Sequence, residues 1–184
     1  EGNIYEHCRV NACTQRAYRD AMPEGFDLPE LAAGPKNVLV VGGGPAGMEA
    51  ARVAALRGHN VTLAEKSGML GGLLTFASAV KGPHENLDDL NAYLQKQLEL
   101  AGVTVELNCE VTADVVAQKA PDALVVAAGG VRDKLAVEGS DSTPVVALDQ
   151  FMFAGLEGKN VTIIGGNAQA IDAALWLQAH GTNV

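Results

Sequence analysis

Three glycines, Gly42, Gly44 and Gly47, stand in the spacing G-x-G-x-x-G, and Glu65 follows 23 residues after the first. That set of residue types suits a dinucleotide. A glycine at the first position permits a tight turn from strand to helix. One at the second leaves room for a pyrophosphate, and one at the third lets helix and strand pack closely. The phosphates would rest on free N–H groups at the positive end of a helix. An acid at the end of the next strand could accept hydrogen bonds from the ribose hydroxyls. The other reading of the same residues is a tight turn that binds nothing.

The elements around the motif decide its weight. Residues 38–41 are all apolar and mostly β-branched, as in a strand buried on both faces. Residues 46–57 read as a helix, with Met48, Ala51, Ala55 and Leu56 inward and Gly58 as its stop. Residues 61–64 read as the next strand. Strand, helix and strand in this order make a βαβ unit with parallel strands. Residues 66–85 read as loop. Leu87, Leu90, Leu94 and Leu98 recur at helical spacing up to Gly102. Residues 103–107 alternate like a strand, and 123–128 read as another buried strand. Residues 131–158 read mostly as loop with a short helix at 147–154. Residues 161–164 read as a strand and 168–179 as a helix stopped by Gly181. The expected fold class is α/β with a Rossmann-like parallel sheet.

The motif also repeats. "NVLVVGGGPAGMEAARVAALRGHNV" (37–61) aligns without a gap on "NVTIIGGNAQAIDAALWLQAHGTNV" (160–184). The second copy reads Gly165-x-Asn167-x-x-Ala170, and Asn167 would push a side chain toward the phosphates. It is either a second nucleotide site or a Rossmann-like half that binds poorly.

Bulk properties bound the partners. The 184 residues are 48% hydrophobic with a formal net charge of −9, which disfavours nucleic acid and anionic membranes. No apolar run reaches the ~18–20 residues of a membrane span. Three cysteines, Cys8, Cys13 and Cys109, without a disulfide-rich scaffold suggest a reducing cytoplasm. The chain opens at Glu1 without an initiator Met and stops in "HGTNV", within an apparent strand, so a segment of a longer protein is expected. Oligomeric state is left open. His7, His59, His84 and His180 fall in loops or near helix ends, and no general base is expected.

"PKNVLVVGGGPAGMEAARVAALRGHNVTLAEKSGMLGGLL" (35–74) resembles the FAD-binding segment of the old-yellow-enzyme-type NADH:flavin oxidoreductases that carry an iron–sulfur cluster. This is the family of 2,4-dienoyl-CoA reductase, 2-enoate reductase and trimethylamine dehydrogenase. The resemblance implies a three-layer FAD/NAD(P)-binding fold beside an FMN-holding barrel that belongs to the same protein. It implies a linker over 1–35, an incomplete FAD domain over 36–158, and the start of an inserted NAD(P)-binding domain over 159–184. "CRVNAC" resembles the last cysteine of the cluster motif, making Cys8 a [4Fe–4S] ligand in the intact protein only, since one thiolate cannot hold a cluster.

By position, the resemblance puts Gly42, Gly44, Pro45, Ala46 and Gly47 at the FAD pyrophosphate and Glu65 with Lys66 at the ribose. Gly71, Gly72 and Leu73 fall at the flavin side, Val111 at the adenine, and Ala127, Ala128 and Gly129 in a second FAD-contacting segment. The implied function is relay of electrons from NAD(P)H through FAD to the cluster and FMN, for reduction of an unsaturated substrate. Two alternatives stay open. One is a glutamate-synthase-small-subunit-like or ferredoxin-reductase-like flavoprotein. The other is a module that holds ADP structurally.

Overall fold

The computed structural model describes residues 30–82, 86–130, 138 and 143–184. Cys8, Cys13 and most of the linker lie outside the described residues.

Strands β1 (Asn37–Val41), β2 (Asn60–Ala64), β3 (Thr104–Glu106) and β4 (Ala123–Val126) form one sheet in the order β3-β2-β1-β4. Every pairing in it is parallel. Helix α1 (Pro45–Leu56) makes the first crossover; α2 (Leu73–Lys81) and α3 (Leu87–Leu100) follow β2. Helix α4 (Ala113–Lys119) precedes β4, a 3-10 turn spans Phe151–Phe153, and α5 (Ala168–Ala179) comes last. The chain runs outward from β1 to β2 and β3, then returns to the other side of β1. That reversal is the topological switch point at which open α/β sheets bind ligands, beyond the carboxyl ends of the strands.

Burial explains the strand and helix choices. Val38, Val40, Val61 and Leu63 pack with Met48 and Ala51 of α1 and Leu94 and Leu98 of α3. Val40, Met48, Ala51 and Leu63 are wholly excluded from solvent. Val40, Met48 and Leu63 each contribute about 1.5–3 kcal/mol. Leu39 is buried on the opposite face, so β1 is covered on both sides as its composition implies.

Four departures from the sequence reading stand out. Residues 73–81 form a helix where loop was expected, between Gly72 (φ +52°) and Gly82 (φ +78°). Residues 113–119 form a helix that was not anticipated, with the Thr112 hydroxyl accepting from the Val115 N–H at its start. β4 is covered on one face only: Ala123 and Val125 pack on the core while Val126 is 70% exposed. The strand expected at 161–164 is reduced to a single parallel bridge, Asn160 with Asn183. A strand is defined by its ladder, and no other described segment pairs with it.

The 160–184 segment docks on the first part of the chain. Phe151, Ala173 and Leu177 form a second buried cluster with Phe76 and Val80 of α2 and with Trp176. Phe151 meets Phe76 and Trp176 edge-on at 5.5 and 5.4 Å between ring centres. Lys81 and Asp172 form an ion pair across the same contact at 3.2 Å.

Candidate functional site

The strand register places the site. Val41 lies level with Ala64 on one side and Val126 on the other. The next residues, Gly42, Glu65 and Ala127, therefore emerge in one row. Backbone bonds extend the ladder past the strand ends: Gly42 N–H donates to Ala64 O and Ala127 N–H to Val41 O, both at 2.8 Å.

Gly42 turns the chain at φ +105°, and a Cβ there would strike the Ala127 carbonyl. Gly47 lies directly against the Gly42 carbonyl oxygen, with no space for a methyl group. These two positions are required by the fold itself. Gly44 differs: no atom of the described residues lies within 4 Å of where its Cβ would stand. It begins α1 in extended conformation (φ −73°, ψ 177°), with Pro45 following. No side chain caps α1 and its first turn carries no acid. The first-turn amides of Ala46 and Gly47 have no intrahelical acceptor. A free positive helix end next to an open glycine can take an anion.

Glu65 closes the other side. Its Oε2 accepts from the Gly43 N–H at 2.6 Å and its Oε1 from the Ser67 N–H at 2.8 Å. Burial alone would raise the Glu65 carboxyl. The hydrogen bonds from Gly43 and Ser67 and the Lys66 charge outweigh it and hold the group below its ordinary value of 4.5. It is therefore ionised at neutral pH, and each oxygen keeps a lone pair beyond its backbone bond.

The second glycine pair supports the first. Gly71 N–H donates to Gly43 O at 2.8 Å, and a Cβ at Gly72 would stand 3.1 Å from Gly44 Cα. Leu73, half exposed, starts α2 beside them. Lys66 is exposed, as are Pro45, Ala46, Ala128 and Gly129. Val111 is partly buried, two residues after Cys109, whose N–H donates to Glu65 O at 2.9 Å. Gly42, Gly44, Gly47, Glu65, Gly71, Gly72 and Ala127 are thus brought together, with the remaining expected residues following them in the chain. Cys109 is a free cysteine.

Two participants were not anticipated. Gly43 is buried and supplies the amide that fixes Glu65; a Cβ there would meet the tip of Leu70 and the Glu65 side chain. Its place as the middle glycine of "GGG" marks the position, though not the bond it gives to Glu65. Ser67 donates through its backbone, which sequence does not reveal. The site is an open ledge rather than a closed cavity. Two depressions, of about 670 and 350 Å³, lie elsewhere: along α3 and β3, and near the amino ends of β1 and β2. Among the described residues, no cluster of three or more His, Cys, Asp or Glu could hold a metal ion, and no helix is long and apolar enough to cross a membrane.

The parallel sheet, its switch point and the uncapped helix facing an acid define a dinucleotide-binding α/β domain. Comparison with known proteins narrows the class. The chain belongs to the pyridine nucleotide-disulphide oxidoreductase family, which matches residues 36–184. It is similar to cinnamate reductase of Clostridium sporogenes, with 40% identity over 153 residues, 81% of this chain and 22% of that one. It is 34% identical to NADH oxidase of Thermoanaerobacter brockii, over 99% of this chain and 28% of that one. Its fold matches a solved 2-naphthoyl-CoA reductase complex with a TM-score of 0.75 and 39% identity, covering 83% of this chain and 23% of that one. The resemblance to the 2,4-dienoyl-CoA reductase and 2-enoate reductase family stands. The chain spans about a quarter of the length of these relatives.

Proposed function

We propose that the chain is the FAD-holding, electron-relaying segment of a larger NAD(P)H-dependent reductase that acts on an unsaturated substrate. The observation that carries this is the juxtaposition at the end of β1: an uncapped helix, an open Gly44, and an ionised Glu65 tied to the same loop through Gly43 N–H. In this reading Ala46 and Gly47 present N–H groups to the pyrophosphate, Gly44 leaves it space, and Pro45 fixes the first turn beside it. Glu65, with Lys66 beside it, accepts from the ribose hydroxyls. Val111 offers its backbone to the adenine. Gly71, Gly72 and Leu73, with Ala127, Ala128 and Gly129, border the flavin half. FAD held there supplies hydride and single-electron chemistry. No side chain of this chain is given an acid–base role.

The relatives matched are several times longer, which supports placing an FMN domain and a [4Fe–4S] cluster elsewhere in the same protein, with Cys8 as one cluster ligand. We divide the chain into a linker (1–35), a first nucleotide domain (36–158) and the start of a second (159–184). The odd cysteine count supports a reducing cytoplasm.

One observation favours the ADP-only reading: the side chain of Leu73, at the flavin side, is apolar and offers no hydrogen bond to an isoalloxazine. The absorption spectrum of the purified full-length protein, followed by chromatography of the cofactors released on denaturation, separates the two. FAD recovered in addition to FMN supports the relay. ADP in its place supports a structural module, and no adenine nucleotide at all refutes both.

A further inference from the structure

The internal repeat gives the chain its own control. Residues 37–61 and 160–184 keep one frame. Asn37 pairs in parallel with Asn60, and Asn160 with Asn183. Asn60 Nδ2 donates to Asn37 Oδ1 at 3.2 Å, and Asn183 Nδ2 to Asn160 Oδ1 at 3.1 Å. Gly42 and Gly165 turn at φ +105° and +122°, and the stops Gly58 and Gly181 at +88° and +77°. Helices α1 and α5 have 12 residues each. Gly44 (φ −73°, ψ 177°) and Asn167 (φ −77°, ψ 170°) hold the same position in the same conformation.

The two turns differ at the helix mouth. No side chain caps α1. In the second copy Asn167 Oδ1 accepts from the Ala170 N–H at 2.9 Å. Ala170 stands where Gly47 stands in the first copy, so the amide taken is the counterpart of one left open there. The Asn167 side chain has folded back onto its own helix, where the sequence had suggested that it points toward phosphates. A backbone N–H carries one hydrogen, so an acceptor already in place must leave before a phosphate oxygen can take it.

We infer that Asn167 sets the affinity of the second turn, its carboxamide competing with the pyrophosphate of a nicotinamide nucleotide for the Ala170 N–H. This rests on the dinucleotide reading of the chain. The consequence is unequal affinity within one polypeptide: the first turn receives its nucleotide without displacing anything, and the second must first give up its cap. An Asn cap contributes enough to helix stability that releasing it weakens nucleotide binding about fivefold.

The test titrates NADH and NADPH into the full-length protein by calorimetry and follows exchange of the Ala170 amide hydrogen. The variants are Asn167→Gly, which removes the competing oxygen, and Asn167→Asp, which keeps it and adds a negative charge. Asn167→Gly is expected to tighten the preferred nucleotide about fivefold or more, with faster Ala170 exchange in the free protein that slows when nucleotide is added. Asn167→Asp retains the cap, so it preserves the fold, and it is expected to bind more weakly than the native protein. Binding by Asn167→Gly that is unchanged, weaker or undetectable overturns the inference, as does Asn167→Asp binding equal to native. FAD content is measured on the same samples. Its absence would defeat the reading of the first turn, while the titrations still decide the role of Asn167.

Discussion

Gly44 and Gly47 belong to one motif, yet the structure surrounds them differently. At Gly44 the backbone is extended, a conformation any residue adopts, and an added Cβ meets no described atom within 4 Å. Gly44→Ala should leave the ligand-free fold intact to within about 1 kcal/mol, the gain from restricting the unfolded chain being offset by the poorer fit of alanine at a helix start. On the proposed reading, the same methyl group would stand in the path of the pyrophosphate. Pushing the phosphate back far enough to lose one charge-assisted hydrogen bond costs about 1.5–3 kcal/mol, or roughly ten- to hundredfold in affinity. At Gly47 the added Cβ collides with the Gly42 carbonyl oxygen and stands 3.0 Å from its carbon, backbone that cannot swing aside. Gly47→Ala should therefore lose at least about 1–3 kcal/mol with no ligand present. Urea unfolding of apo-protein followed by circular dichroism reads the first effect. Quenching of FAD fluorescence on titration into apo-protein reads the second. A Gly44→Ala protein that is stable and binds FAD as tightly as native would show that the pyrophosphate does not lie against Gly44, and the assignment of this loop to it would fall.

Other outcomes follow from the same coordinates. Glu65→Gln exchanges one accepting oxygen for an NH₂ that cannot accept from Gly43 or Ser67, so urea unfolding at pH 7 should show a loss of about 1–3 kcal/mol. Because the folded Glu65 carboxyl is held below 4.5, its stabilisation is complete above that pH and disappears as pH falls through the folded value. The gap between native and Glu65→Gln should therefore close in acid, and a gap of equal size at pH 7 and pH 3 would contradict the assignment. Phe151→Ala removes the ring that joins Phe76 to Trp176 and should cost about 3–5 kcal/mol. The emission of Trp176, the single tryptophan, should then shift to the red at lower urea than in the native protein. Asp172→Asn breaks a partly exposed ion pair with Lys81, and a midpoint shift equivalent to more than about 1 kcal/mol would mean that this contact matters beyond its charge.

The parts of the fold legible in advance share one property: their pattern is local and doubled. The βαβ opening announced itself because a β-branched run, a glycine turn, an apolar helix face and a glycine stop follow in order, and because residues 160–184 repeat them. α3 was legible from its leucines alone. α2 was not, although Leu73, Phe76 and Val80 lie at helical spacing. The surrounding glycines outweighed nine residues, and the partner that makes the pattern meaningful, Phe151, lies 75 positions past Phe76. The strand at 161–164 failed for the opposite reason. Its composition matches β1, but composition supplies only a propensity, and a ladder needs neighbours. β4 shows the same limit, since Ala123 and Val125 are buried and Val126 is not, a distinction set by what lies over each face.

The site divides along the same line. Gly42, Gly44, Gly47 and Glu65 could be read from spacing because a strand of known rise and a helix of known pitch fix where they fall. Gly43 and Ser67 could not be assigned that way, because their contribution is a backbone N–H that every residue but proline carries. What brings those amides to Glu65 is the level register of β1 with β2 and the bonds from residues 108–109 back to 65–67, both properties of the sheet. The motif therefore marks where, on the proposed reading, a phosphate would lie, and the sheet brings the acid to that loop. The second copy makes the point from within the same chain: its Asn160–Asn183 frame and its turn are intact, yet a single carboxamide at Asn167 occupies the amide its counterpart leaves free. Frame and vacancy are separate requirements, and only the first turn meets both.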